Sequence, residues 1–397
     1  MRKKFDKDLL DNLLEATIVG SFSKIGFEVR SRLYDYRREY NLDSFSGHKN
    51  GSDSHLQEKN SENRNNRDNE TVKTPVAVIT GFSSGIGLAT ALSLAKAGWQ
   101  IIGIAHNKER CEAALARILA ANKTSQHITD PHEIRSLIYD GKTGDHLKRT
   151  DKLSYGVMAD LSNLSEVKNL ASMVRANHTN ISLIIHCAGK IYPELTLTPD
   201  GFESTFALHV LGPQLLTDLL YDLLEIDPDL FDMTDNTSLY LPRVVWVSSG
   251  GMYAVGLETK RLLNPDSSSY KAIQTYAYAK RMQVELAEIW AVNLAGKNCL
   301  AFSMHPGFVN TRVLEEGIPL FTKIMRPLLR TPEQGADTLV YLSTLTSSHE
   351  LAKLNGSFFL DRKPRKTNIL KKTVSLVSEK IDAFSVVENL LAPFKNL

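Results

Sequence analysis

Residues 75–105 restrict the fold more than any other stretch. A β-branched run, Val76-Ala-Val-Ile79, leads directly into Thr80-Gly-Phe-Ser-Ser-Gly-Ile-Gly87. Helix-forming residues occupy 88–97, then Gly98 and a second strand-like run, Trp99-Gln-Ile-Ile-Gly-Ile-Ala105. Strand, glycine loop, helix and strand in that order predict a βαβ unit. Gly81 permits the tight turn, Gly85 lets backbone approach a pyrophosphate, and Gly87 allows close helix–strand packing. The helix that starts there offers free N–H groups and a positive dipole end to an anion. A glycine trio alone is weak evidence. Between a strand and a helix it points to a dinucleotide site.

Further apolar runs recur at α/β spacing, over 154–159, 181–187, 243–248, 300–305 and 357–360. Most are continuously apolar, as strands covered on both faces are. The expectation is one α/β domain over residues 74–365, a Rossmann-like, doubly wound, seven-strand parallel sheet. Residues 1–44 predict an N-terminal helical extension, with Leu9, Leu10, Leu13, Leu14 and Ile18 on one stripe. It either packs on the domain or meets a membrane surface or partner. Residues 45–73 are too polar to offset their ordering entropy and predict a disordered linker. Residues 121–152 read as a polar insertion in a crossover. Residues 366–397 read as a basic tail with a short helix through Ile381, Phe384, Val387 and Leu390. The acidic loop at 226–241 lacks the glycine and glutamate of an EF-hand, so no metal site is expected there.

Composition narrows the partners. Lys+Arg 47 against Asp+Glu 45 gives 47 − 45 = +2, with no global field for nucleic acid. Three cysteines, Cys111, Cys187 and Cys299, are far apart and fit a reducing compartment. No run of 18 or more apolar residues suggests a membrane span. Asp6, Asp8, Asp11 and Glu15 interrupt any leader-like start. The expected location is the cytoplasm, with peripheral membrane contact left open.

Residues that can do chemistry gather at strand ends. Tyr276 and Lys280 stand four apart at the start of an amphipathic run, so phenol and ammonium share a helix face. A nearby cation favours a phenolate; a shift of about two units would be worth roughly 2.7 kcal/mol. Ser248 and Ser249 end one apolar run, and His305-Pro-Gly307 ends the next. In open α/β sheets that edge is where ligands bind.

Taken in order, Thr80-Gly-Phe-Ser-Ser-Gly-Ile-Gly87, Asp160-Leu161, Cys187-Ala-Gly189, Val247-Ser-Ser249, Tyr276-x-x-x-Lys280 and Pro306-Gly307 resemble the short-chain dehydrogenase/reductase family. The resemblance covers roughly residues 74–365. Gly250-Gly-Met252, Gln334-Gly-Ala-Asp337 and Asp361-Arg-Lys-Pro364 narrow it to one branch, the dehydrogenase/reductase family member twelve type. It implies hydride transfer between a nicotinamide cofactor and a carbonyl or alcohol. In it Tyr276 is the acid/base, Lys280 lowers its pKa and binds ribose, and Ser249 holds the substrate oxygen. Gly81, Ser83, Gly85, Ile86 and Gly87 match the cofactor loop, and Asp160 and Leu161 the adenine pocket. Ala188 and Gly189 belong to the strand-end element; Pro306, Gly307 and Thr311 match the nicotinamide segment. A homodimer through the helices at 212–224 and 276–294 is a further implication.

Two positions depart from the family pattern. Its Asn-Asn-Ala-Gly element reads His186-Cys-Ala-Gly189, and His209 stands where an asparagine normally holds a water that links the lysine to solvent. An imidazole can donate, accept or shuttle a proton there. After the second strand comes Ala105-His-Asn-Lys-Glu-Arg110, with no acid at the strand end for a ribose 2′-hydroxyl. His106, Asn107, Lys108 and Arg110 favour NADP(H) over NAD(H). The apolar stretch at 307–330 suits a hydrophobic, lipid-like substrate. The competing reading is a catalytically weak or inactive nucleotide-binding scaffold or sensor.

Overall fold

In a computed structural model, the structure describes residues 21–34, 74–142, 153–225, 240–297, 299–345 and 348–396. Expectations for residues 1–20, 35–73, 143–152 and 226–239 lie outside the described residues. Helix α1 (Lys24–Leu33) precedes β1 (Val76–Thr80), α2 (Gly85–Lys96), β2 (Gln100–Ala105) and α3 (Lys108–Ala121). Next come α4 (Pro131–Ser136), β3 (Ile138–Asp140), β4 (Tyr155–Met158), α5 (Leu164–Asn177) and β5 (Leu183–His186). A π turn (Ala207–Leu211) runs into α6 (Gly212–Leu220), then β6 (Arg243–Val247), α7 (Ala272–Asn293) and β7 (Leu300–Met304). The chain continues through α8 (Arg312–Gly317), α9 (Pro319–Met325), α10 (Pro332–Thr344), β8 (Phe358–Leu360), β9 (Lys363–Arg365) and α11 (Val377–Leu391).

The sheet runs β3-β4-β2-β1-β5-β6-β7-β8-β9. Its middle seven strands are those expected from the apolar runs, all parallel. Two three-residue edge strands extend it. β3 arises inside the polar insertion and pairs parallel to β4; β9 folds back antiparallel on β8. Both are too short to leave a periodic signal. Apolar residues cover both faces. Ala77, Ile79 and Phe302 join α2 and α10, while Val78, Ile104 and Val244 join α5, α6 and α7. The chain reverses its direction across the sheet between β1 and β5, opening a crevice at their C-terminal ends. Thr80 closes its floor: its Oγ1 accepts from the N–H groups of Cys187 and Ala188 at 2.9 and 3.1 Å. Gly81, at φ 70°, has no room for a side chain. A Cβ there would lie 2.8 Å from Ala188 Cα.

Two residue groups of the narrower resemblance have structural tasks. Thr331 and Gln334 form a capping box on α10, and Asp337 pairs with Arg362 at 2.6 Å. The β8–β9 hairpin turns on Asp361 and Arg362, both left-handed with φ 51° and 59°. Two left-handed non-glycine residues are unfavourable; here both are anchored by buried ion pairs. Asp361 takes Arg330 at 2.6 Å and Arg30 of α1 at 2.9 Å, each at most 1% exposed. Burial alone would raise this carboxyl, yet Arg330 and Arg30 together hold it below its usual range. Residues 21–34 are thus part of the packed domain. Among the described residues no helix is long and apolar enough to cross a membrane.

Asp361→Asn keeps a residue that tolerates the left-handed turn but leaves two arginines without their carboxylate. It should cost about 3 kcal/mol of unfolding free energy, measured by denaturant titration, and expose α1 to proteolysis first. Wild-type stability would contradict this.

Candidate active site

A cleft of about 890 Å³ lies along the C-terminal edge of β1, β2, β5, β6 and β7. Sixteen of the seventeen candidate residues line it: Gly81, Ser83, Gly85, Ile86, Gly87, His106, Asp160, Leu161, Ala188, Gly189, Ser249, Tyr276, Lys280, Pro306, Gly307 and Thr311.

 Of the candidates, His209 alone stands behind the cleft wall. His209 sits in the π turn, fully buried against Gly189, whose added Cβ would meet its ring at 2.9 Å.

The two serines at the end of β6 divide their work. Ser248 is buried and donates from Oγ to the Lys280 carbonyl at 2.7 Å, which pins α7 to the strand end. Ser249 opens to the cleft; its Oγ accepts from Gly251 N–H at 3.3 Å. Tyr276 stands beside it. Burial pushes its phenol up to about 12, while a hydrogen bond with Ser249 pulls the other way. Burial brings Lys280 down to about 7. Burial thus dominates the phenol, which is raised where the sequence predicts a lowering. Nζ lies 5.4 Å from the centre of the Tyr276 ring and donates to the Val247 carbonyl at 2.8 Å and to Gln283 Oε1 at 3.0 Å.

His209 is hydrogen-bonded towards the lysine only by way of Gln283, whose Nε2 donates to the His209 carbonyl at 2.7 Å. The His209 Nε2 pairs with the Lys190 carbonyl at 2.9 Å, and its ring stands edge-on to Tyr276 with centroids 5.3 Å apart. Burial, then Lys280, holds the imidazole well below its usual range, hence neutral. His186 is a core residue bonded to Thr217 Oγ1 at 2.8 Å, and Cys187 takes the position on the cleft wall.

At the far end of the cleft, His106 Nε2 lies 3.3 Å from Arg110. Burial and then Arg110 lower the imidazole, with Lys190 and Arg312 acting in the same sense. Asn107 is committed elsewhere, since its Oδ1 caps α3 by accepting from Arg110 N–H at 2.9 Å. In the apolar segment, Leu314, Ile318 and Phe321 line the cleft, whereas Leu320 and Ile324 face outward, 69% and 68% exposed.

Three contributors have roles that no sequence signal specified. Gln283 was one more polar residue on a helix. His305 accepts from Gly250 N–H through Nδ1 at 3.1 Å and so supports the turn after Ser249. Phe22 packs edge-on against His305 and Phe308, with centroids 4.5 and 5.4 Å away, and its carbonyl accepts from Phe308 N–H at 2.8 Å. A residue more than two hundred positions upstream therefore backs the site wall.

A family model described as short chain dehydrogenase matches residues 75–139. Dehydrogenase/reductase SDR family member 12 of Bos taurus is 31% identical over 322 residues, 80% of this chain and 86% of that protein. Retinol dehydrogenase 14 of Mus musculus is 28% identical, over 72% of this chain and 77% of that protein. Among solved structures, a Mycobacterium paratuberculosis protein aligns with TM-score 0.54 at 22% identity, covering 80% of this chain and 93% of that one. That likeness shows the fold.

His186 and His305 are buried, and burial brings each down to about 3. An unfolded histidine takes a proton below about pH 6.5. Their contribution is therefore complete above that pH and is lost as pH falls towards 3. Each group should steepen the loss by up to about 1.4 kcal/mol per pH unit. Melting curves between pH 7 and 4.5 should fall less steeply for His186→Asn than for wild type; parallel falls would refute the assignment.

Proposed function

The chain belongs to the short-chain dehydrogenase/reductase family, and from that premise we propose that it reduces the carbonyl group of a hydrophobic small molecule with NADP(H), Tyr276 giving the proton. The observation that carries this reading is the placing of Tyr276 and Ser249 in one cleft with the glycine loop. Bound there, a nicotinamide supplies or accepts a hydride.

The fit of the cofactor is supported by the loop itself, where Gly81 and Gly85 take left-handed conformations at the start of α2. Gly81, Ser83, Gly85, Ile86 and Gly87 would hold the pyrophosphate at that helix N-terminus. Asp160 and Leu161 would border the adenine, Tyr276 and Lys280 the ribose, and Pro306, Gly307 and Thr311 the nicotinamide amide. Ala188 and Gly189 would floor the cleft between them. Around His106, the cations Arg110, Lys190 and Arg312 outnumber Asp160 and make the adenosine end electropositive, which suits a 2′-phosphate.

During reduction, negative charge grows on the substrate oxygen, and two donors, Tyr276 Oη and Ser249 Oγ, meet it. A phenol held near 12 keeps its proton at neutral pH, the form a general acid needs. His209, neutral and bonded to Lys190, seats the Gly189 segment in this account. Leu314, Ile318 and Phe321 would receive an apolar substrate. The homodimer face on α6 and α7 is covered by α11, through Ala383, Val387 and Leu391 and a Lys395–Asp218 pair at 2.8 Å. We infer that pairing through this face does not occur.

Tyr276→Phe should cut the turnover of any carbonyl the wild type reduces by about 100-fold or more, with NADPH binding retained by calorimetry. Wild type and variant equally inert while binding NADPH would reject the reductase in favour of a nucleotide-binding scaffold. Arg110→Ala should weaken NADPH binding by roughly tenfold or more, the loss of one charge-assisted hydrogen bond, and leave NADH nearly unchanged. Equal losses for both would remove Arg110 from the phosphate site.

A further inference from the structure

Gln283 lies one turn beyond Lys280 on α7 and is 1% exposed. Its Oε1 accepts from Lys280 Nζ at 3.0 Å, and its Nε2 donates to the His209 carbonyl at 2.7 Å. The neighbours dictate which way the amide points. An ammonium only donates and a carbonyl only accepts, so a flipped amide would oppose like groups at both ends. His209's carbonyl is available for a reason of sequence. Four residues on stands Pro213, which has no N–H to return in an α-helical pattern, and the chain widens there into the π turn.

We infer that Gln283 is a positioning residue that holds the Lys280 ammonium and thereby sets the pH range over which the site can reduce a carbonyl. This rests on the reading of Tyr276 and Lys280 as the acid/base pair. The amide stabilises a buried cation with a carbonyl dipole and brings no charge of its own. With the Val247 carbonyl it gives Nζ two acceptors in a setting with little water. The titratable groups facing Lys280 are the Cys187 thiol beyond β5, the Tyr276 phenol on α7 and the His209 imidazole from the π turn. From β6 come the Val247 carbonyl and the Ser248 hydroxyl, neither of which titrates near neutrality.

The test is an NMR titration of full-length protein carrying 13Cε-lysine, without substrate, the Lys280 signal assigned by its loss in Lys280→Arg. Gln283→Glu keeps the shape and places a carboxylate beside Nζ, so the Lys280 midpoint should rise by about one to three units. Gln283→Leu removes an acceptor and should lower it. The alkaline limb of carbonyl reduction should move in the same sense in each variant. If Lys280 titrates alike in wild type and Gln283→Glu, Gln283 merely fills space and the inference falls; this near-isosteric variant decides the matter even if Gln283→Leu does not fold. If the midpoints move as stated but no variant or wild type reduces any carbonyl, the clamp stands and the acid/base reading fails.

Discussion

The site depends on how α7 is fastened to the end of β6. Ser248 holds the Lys280 carbonyl, Lys280 holds the Val247 carbonyl, and Gln283 carries the connection to the π turn. These bonds are buried, where an unmade one is costly. They settle the height of Tyr276 above the sheet edge and its place beside Ser249. A buried lysine with two carbonyl-type acceptors is a cation tolerated by hydrogen bonding, since among the described residues no carboxylate is bonded to its Nζ.

The surrounding wall is built from distant parts of the chain. Phe22 backs His305, His305 supports Gly250, and Gly250 follows Ser249. Arg30 reaches the same hairpin carboxylate as Arg330, so α1 is tied to the segment that carries Pro306 and Gly307. On the opposite side α11 covers α6 and α7, with Lys380 on Glu285 at 2.7 Å. Both appendages thus brace elements that shape the cleft.

Much of this was legible from local pattern. The glycine loop announced β1, α2 and the turn between them, because turn, close approach and helix start each demand particular residues there. The apolar runs named seven strands, and the Tyr–Lys spacing placed two side chains on one helix face. What spacing does not encode is where a long side chain goes once buried. Lys280 turned to Val247 and Gln283, so burial prevailed and the phenol rose. His209 marked the right turn of chain, yet its carbonyl takes Gln283 while its ring nitrogen takes the Lys190 carbonyl. Phe22, Arg30 and Gln283 act through contacts that only the tertiary fold creates.

The most direct test of the account follows the hydride itself. Protein incubated with NADPH deuterated at C4 and a panel of hydrophobic aldehydes and ketones should give alcohols carrying deuterium on the former carbonyl carbon, read by mass spectrometry. Saturable NADPH binding with no labelled alcohol from any carbonyl, and no oxidation of the matching alcohols with NADP⁺, would contradict it.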